Sequence, residues 1–318
     1  MIIKDPVHGN ISLSEFEGRI IDTPQFQRLR GIRQLGMTYL VYPGAMHTRF
    51  EHSIGTMHLA SLICERLGIS GERKELVRAF ALLHDVGHAA FSHESERALG
   101  ERYSGHEERG RAIISGPLKD LLSEKFSASE MLSAGKGILG AITSGELGAD
   151  RMDYLLRDAH HIGVSYGVVD MERILHTLRV EGNEVVLGKG GLEAAESLLV
   201  GRFMMFSTVY LHKTVRIGSA MLNRAISLSL QDGMDPSVVL NWPDAVALNE
   251  MLKTRRGGAF ASALLERRLY KLAYAAEGVL GKPDKVAEEL SDSCGCEVLV
   301  DLPPSFAKRG KVDVEAEG

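Results

Sequence analysis

Residues 74–88 read Lys74-Glu75-Leu76-Val77-Arg78-Ala79-Phe80-Ala81-Leu82-Leu83-His84-Asp85-Val86-Gly87-His88. Leu76, Phe80 and Leu83 recur at three and four positions with Val77 beside them, which predicts an amphipathic helix with that stripe in the core. His84-Asp85 continues this helix, so the two side chains diverge by about 100° and converge only on something lying between them. A divalent cation fits that geometry. Imidazole with carboxylate suits Zn, Mn, Fe, Ni or Co better than Ca. The dipeptide alone fits equally a core histidine beside a helix-capping aspartate, and both readings stay open on these residues.

Working outward, residues 53–67 and 192–206 carry the same periodicity, and the 318-residue chain holds only nine prolines, so a mainly α fold is expected. Strands are few and short. Leu178–Val180 and Glu184–Leu187 flank Gly182-Asn183 as a hairpin, and Cys296–Leu302 reads as a strand ending at Pro303-Pro304. Gly233 and Asp235-Pro236 break a helical run near residues 231–236. This predicts a catalytic core over 1–230 and a smaller α/β C-terminal lobe over 231–318, whose charged end, 308–318, is expected to be loosely held.

Composition narrows the function class. With 44% hydrophobic and 25% charged residues the chain buries a sizeable core, which excludes a disordered or disulfide-scaffold protein. Asp plus Glu number 42 against 37 Lys plus Arg, a net charge of -5 that disfavours a broad nucleic-acid surface. Three cysteines, Cys64, Cys294 and Cys296, suit a reducing, cytoplasmic setting. Cys294-Gly295-Cys296 reads as a turn before a strand, since two cysteines alone make no closed metal site. No leader sequence is indicated, and no apolar run approaches the ~18 residues of a membrane span.

The histidines are the chemical lead: His47, His52, His58, His84, His88, His93 and His106 fall within one stretch of the chain. His47-Thr48-Arg49-Phe50-Glu51-His52-Ser53 precedes an amphipathic helix with Met57, Leu62 and Ile63 as buried candidates, which places His52 at or near its first turn. Further on, Asp150, Tyr154 and Asp158 share a helix face at i, i+4 and i+8. A solvated face with Asp and Arg pairs accounts for Asp153 and Arg157 there, but not for His52 and His84-Asp85.

In order, His52, His84-Asp85 and Asp150 resemble the H…HD…D signature of HD-domain metal-dependent phosphohydrolases. Asp5-Pro6-Val7-His8-Gly9, Asp22-Thr23-Pro24-Gln25-Phe26-Gln27-Arg28-Leu29-Arg30, Gln34-Leu35-Gly36, Tyr42-Pro43-Gly44, Phe91-Ser92-His93, Asp150-Arg151-Met152-Asp153-Tyr154 and Arg157-Asp158-Ala159-His160-His161 are similar to its deoxynucleoside triphosphate triphosphohydrolase (dGTPase-like) branch. The resemblance is strong from residue 2 to about 220 and looser beyond, where Arg268-Leu269-Tyr270-Lys271 and Val298-Leu299-Val300-Asp301 still look like the family's C-terminal lobe.

The resemblance implies an HD-domain helical core and one divalent transition metal on His52, His84, Asp85 and Asp150, with Mg accompanying the substrate. It implies attack at the α-phosphorus of a dNTP, releasing deoxynucleoside and inorganic triphosphate. His106 matches the family's acid and base histidine, and Glu96 the carboxylate that orients it. His88 and His93 match residues near the phosphates, and Arg49, Arg151 and Arg202 match triphosphate contacts. Gln34, Tyr154 and Asp158 match readers of the sugar 3'-hydroxyl; Leu35 and Tyr210 match residues packed on sugar and base. Asp22, Gln27 and Arg30 match part of a guanine-nucleotide activator site, with Met1 standing where the family has a lysine. A homo-oligomer, dimer or tetramer, is the implied assembly. His8, His58 and His176 match no role and are expected to be structural. Another HD nucleotide phosphatase or phosphodiesterase, or a noncatalytic nucleotide-sensing regulator, are the alternatives.

The charge argument becomes local at this point. Residues 19–49 hold five arginines, at 19, 28, 30, 33 and 49, against the single acid Asp22, enough to gather one triphosphate in an acidic chain.

Overall fold

A computed structural model describes residues 1–100, 103–167, 169–275 and 283–302. Three helices form its centre. Helix α1 (Arg49–Arg66) starts at Thr48, whose backbone N–H donates to Glu51 in a capping box. Helix α2 (Gly71–Leu83) packs along it, and α3 (Ala149–Ile162) crosses it from the other side, ending at Gly163 in the left-handed conformation. Met57, Val77, Leu82, Leu83, Met152 and Leu155 are buried in one cluster; of the stripe that predicted α2, Leu83 and the adjacent Val77 are buried, while Leu76 and Phe80 are half-buried and pack against the same cluster. Each such side chain contributes roughly 1.5–3 kcal/mol by leaving water.

The chain is mainly α, with two small antiparallel hairpins among the described residues. The expected hairpin forms, pairing Leu178–Glu181 with Glu184–Leu187. An unexpected one pairs β1 (Ile2–Asp5) with β2 (Gly9–Ser12). Its turn is closed by Asp5 Oδ1, which accepts the backbone N–H groups of Val7 (2.9 Å) and His8 (2.8 Å). Two sequence expectations are corrected. Helix α2 ends at Leu83, so His84 and Asp85 lie in the turn that follows it. Cys296–Leu302 forms no strand: among the described residues no partner strand pairs with it, and side-chain ties fasten it instead. Among the described residues beyond 231 there is therefore no β-structure, and the α/β character expected of that lobe is not found.

A 19-residue helix, α4 (Lys213–Gln231), ends where the sequence predicted a break, before Gly233 with φ +95°. The helices after it, α5 (Asp244–Leu252) and α6 (Gly257–Leu265), pack on α4. Their apolar side chains share one cluster with Met37, Ala90, Phe91 and Leu99 from the first half of the chain. The residues after 231 thus touch the turn that precedes His93. The tail from 303, including 308–318 and Pro303-Pro304, lies outside the described residues.

Candidate active site

His52 stands in the first turn of α1, as its spacing predicted, and is 1% exposed. Its Nε2 lies 3.1 Å from Asp150 Oδ1 and 3.7 Å from Asp85 Oδ2. His84 caps α2 and donates from Nδ1 to the Ala81 carbonyl (2.7 Å), which fixes its tautomer. Its Nε2 is then a buried acceptor without a hydrogen-bond partner, 3.4 Å from Asp85 Oδ1 and 3.8 Å from Asp150 Oδ1. An orphaned lone pair beside two carboxylates is what a divalent cation satisfies. Ligand atoms of His52, His84 and Asp85 all lie within 4.8 Å of one another. The electrostatics agree. Burial pulls the His52 imidazole down, yet its hydrogen bonds to Asp150 and Asp153 outweigh this and push it up to about 10. Burial likewise opposes ionisation of Asp150 and Asp85, and neighbouring cationic groups still hold both below the usual carboxylate range. The pocket demands positive charge, and its donors fit Zn, Mn, Fe, Ni or Co.

Behind these groups is a network that sequence reasoning missed. Asp153 and Arg157 are not a solvated pair: both are fully buried. Asp153 accepts from His52 Nδ1 (2.8 Å), His8 Nε2 (2.6 Å) and Arg157 Nε (2.9 Å) and Nη2 (3.0 Å). Arg157 Nη1 continues to Asp5 Oδ2 (2.8 Å). The N-terminal hairpin is thereby locked to α3, and His8, expected to be an ordinary structural residue, touches the carboxylate that orients His52. A Cβ at position 55 would sit 1.9 Å from Asp153 Oδ1, so Gly55 is what lets α1 approach this network.

The second group gathers around Glu96. His106 opens the helix His106–Ser115, and its Nδ1 donates to Glu96 Oε1 (2.7 Å), while His93 Nδ1 lies 3.4 Å from Glu96 Oε2. Burial opposes it, but these two imidazoles hold the Glu96 carboxyl well below its ordinary range. The buried His88 ring stacks on His106 at 4.1 Å and 10°, and His93 is edge-on to both. On its other side His88 Nε2 is 3.4 Å from Asp85 Oδ1, so one imidazole joins the two groups. Burial and Arg49 hold His88 neutral. Gly87 permits this contact, because a Cβ there would meet the His106 carbonyl at 2.0 Å.

Two acids, Asp244 buried and Glu94 half-buried, fix the turn before His93. Phe91 and Ser92 both take positive φ (62° and 57°), a conformation that costs a side-chain-bearing residue about 1–3 kcal/mol. Asp244 compensates by accepting from Phe91 N–H (2.7 Å) and Arg33 N–H (3.1 Å). Ser92 Oγ donates to the Arg33 carbonyl (2.9 Å) and accepts from Arg49 Nε (2.6 Å). Glu94 accepts from Met37 N–H (2.9 Å) and Ser219 Oγ (2.6 Å). Nothing local in the sequence marks Asp244, which is 153 residues from Phe91.

Arg49 is buried and pairs with Asp85, so it faces the first group directly. Arg151 and Arg202 converge on Glu146, Arg202 at 3.8 Å. Asp158 is fully enclosed; it accepts from Tyr210 Oη and from His47 Nε2 (2.7 Å). Gln34 joins them through its N–H to the His47 carbonyl (3.0 Å), and its Oε1 is buried without a partner. Burial pushes the neighbouring Tyr154 hydroxyl up to about 12. Leu35 is half-buried. His47 is a further residue the sequence reading gave no role. Asp22, Gln27 and Arg30 are less closely gathered. Arg30 Nε donates to Gln27 Oε1 (2.9 Å) and its guanidinium covers the Phe50 ring at 3.5 Å, whereas Asp22 only caps the helix Glu15–Ile21. Of the three, Arg30 alone lines the adjoining cavity of about 420 Å³.

Residues 49–157 match the family described as HD domain, and residues 169–314 the HD associated region. The chain belongs to the HD-domain phosphohydrolases, in their deoxynucleoside-triphosphate-triphosphohydrolase-like branch. An uncharacterised Methanocaldococcus jannaschii protein is 44% identical over 278 residues, covering 85% of this chain and 58% of the relative. The deoxynucleoside triphosphate triphosphohydrolase SAMHD1 homolog of Dictyostelium discoideum is 26% identical over 332 residues, covering 91% of this chain and 64% of the relative. The chain thus spans about three fifths of the length of these curated relatives. Among solved structures, a hypothetical protein from Aquifex aeolicus superposes with a TM-score of 0.77 at 36% identity, covering 92% of this chain and 81% of that one. A phosphohydrolase from Bacteroides thetaiotaomicron does so with a TM-score of 0.76 at 28% identity, covering 93% and 84%. Among the described residues no helix is long and apolar enough to cross a membrane.

Proposed function

We propose that this chain is a metal-dependent hydrolase of deoxynucleoside triphosphates, yielding deoxynucleoside and inorganic triphosphate. The observation that carries the proposal is His88: its Nε2 edge reaches Asp85 while its ring face stacks on His106, which sets a cation-demanding pocket one imidazole away from the Glu96–His106 pair. A divalent transition ion held by His52, His84, Asp85 and Asp150 supplies Lewis acidity to the α-phosphate and to the attacking water. His106, with Glu96 fixing its orientation and tautomer, delivers a proton to the departing 5'-oxygen. His93 and His88 line the path between these groups.

Arg49, Arg151 and Arg202 bind the triphosphate, with Mg accompanying it; the latter two exchange Glu146 for phosphate oxygens, which their planar guanidinium groups accept bidentately. Gln34, Tyr154 and Asp158 read the 3'-hydroxyl, and the unpartnered Oε1 of Gln34 is the free acceptor such a donor needs. Leu35 and Tyr210 close on sugar and base. Asp22, Gln27 and Arg30 form part of an activating-nucleotide site in a homo-oligomer, dimer or tetramer, and the sparse cysteines favour a cytoplasmic enzyme.

Product analysis tests the proposal. Purified protein supplied with each metal and each dNTP is expected to release deoxynucleoside and triphosphate. Finding only the monophosphate with pyrophosphate, or only the diphosphate with phosphate, sinks it.

A further inference from the structure

The three thiols occupy two different environments. Cys64 is 0% exposed, and burial pushes its thiol up to about 11, which leaves it inert. Cys294 and Cys296 are exposed and face each other, Sγ to Sγ, at 3.1 Å. The geometry around them is made, not incidental. Cys294 is the last residue of the helix Pro283–Cys294, and Gly295 at φ +66° turns the chain back so that its two neighbours meet. The following segment is fastened on several sides. Val298 N–H donates to Ser291 Oγ (2.9 Å), and Glu297 accepts from Arg224 (2.7 Å). Asp301 takes Arg216 Nε (2.8 Å) and lies 3.6 Å from Arg97, which belongs to the helix His93–Leu99. Both cysteines are therefore anchored, one by its helix and one by this strap.

We propose that Cys294 and Cys296 form a redox-active dithiol that low-molecular-weight disulfides convert reversibly to an intramolecular disulfide. Contact with the Cys296 thiol lowers the Cys294 thiol below its ordinary range, which makes Cys294 the attacking group. Its thiolate attacks one sulfur of the reagent disulfide; that S–S bond breaks, and the first reagent thiolate leaves and takes up a proton. Cys296, deprotonated in turn, attacks the Cys294 sulfur of the mixed disulfide, forming the Sγ–Sγ bond and expelling the second reagent thiolate. Two protein thiols are oxidised and one reagent disulfide is reduced to two thiols. The inference stands apart from the phosphohydrolase reading, since the hydrogen bonds of the Cys294 thiol run only to Cys296 and to the Ser291 carbonyl.

The test uses the full chain, oxidised glutathione and mass analysis after alkylation. The peptide holding residues 294–296 is expected to lose two hydrogens, about 2 Da, with no retained glutathione. Cys64 is alkylated only after denaturation. Cys296→Ser is expected to stop at a single mixed disulfide on Cys294. Wild-type chains that keep two stable glutathione adducts, that cross-link to one another, or that stay unmodified while a thiol reagent titrates both cysteines overturn the proposal.

Discussion

Asp153 and Arg157, behind the metal group, are fully buried, and each carboxylate oxygen of Asp153 has two donors; on the acid–base side His93 is 62% exposed and Glu96 35%. Under the proposed function the two halves of the site solve different problems. Holding a cation requires ligands that do not move, so the protein surrounds His52 with a network that costs desolvation and repays it in orientation. Moving a proton requires exchange with solvent or substrate, so the Glu96–His106 pair stays accessible, and only His88 is buried among the histidines of that side. The two halves meet at Asp85 and His88, 3.4 Å apart.

Removing ligands tests the deeper half with the largest effect. Asp150→Ala or His84→Ala is expected to abolish both metal retention and turnover, read by elemental analysis of the purified protein beside product formation. A variant that stays folded, loses its metal and remains fully active shows that the buried half is scaffolding only. The exposed half comes next. His106→Ala is expected to lower turnover about 10²–10⁴-fold while metal content is unchanged, which separates proton transfer from metal binding. If metal content falls together with rate, the division between the halves is mistaken.

Asp153→Asn has a smaller, more specific consequence. Asn keeps the volume but removes the charge that orients His52, so metal affinity should fall about 10–100-fold while turnover at saturating metal largely survives. Asp153→Ala goes further, leaving the Arg157 guanidinium buried with Asp5 as its only carboxylate partner, and should cost about 3–5 kcal/mol of stability in denaturant titrations. Unchanged metal affinity in the Asn variant would show that the network serves folding alone.

This same network marks the limit of what the sequence disclosed. The helix over 74–83 was legible because its apolar stripe obeys the period of the secondary structure, and the 178–187 hairpin because Gly182-Asn183 names its turn. Asp153 and Arg157 were misread because i, i+4 Asp–Arg spacing is identical for a solvated pair and a buried one. What decides between them is Asp5, 152 residues away from Arg157, and the missing side chain at Gly55, whose place the pair fills. The first hairpin was missed for the same reason: its stabilising partners lie on α3, outside any local window. Cys296–Leu302 has the alternation of a strand but, among the described residues, no neighbouring edge to pair with, and strand formation depends on that edge. His52, His84, Asp85 and Asp150 were legible only as a set, through resemblance; the physical reason they converge is that α2, with the turn after it, and α3 both pack against α1.

A last contrast concerns carboxyl charge. On the metal side Asp85, Asp150 and Asp153 are all held below their ordinary range, whereas Glu94, next to His93, goes the other way. Burial, aided by Asp244, outweighs the hydrogen bonds from Ser219 and Met37 and pushes it up to about 7, from 4.5. The folded protein therefore binds this proton more tightly than the unfolded chain, and the associated stability is fully present below pH 4.5 and lost as pH rises to about 7. Above that value both states are ionised and the slope vanishes. Because the side chain is only partly enclosed, we expect the change to reach about 1–2 kcal/mol, less than the shift alone implies. Glu94→Gln keeps an acceptor for Met37 and cannot titrate. Denaturant unfolding of both proteins between pH 4.5 and 8 should show wild type gaining stability relative to the variant as pH falls from 7, with the difference flat above it. A constant difference across that range would mean that Glu94 is ionised throughout, and that the acid–base half holds its buried charges as the metal half does.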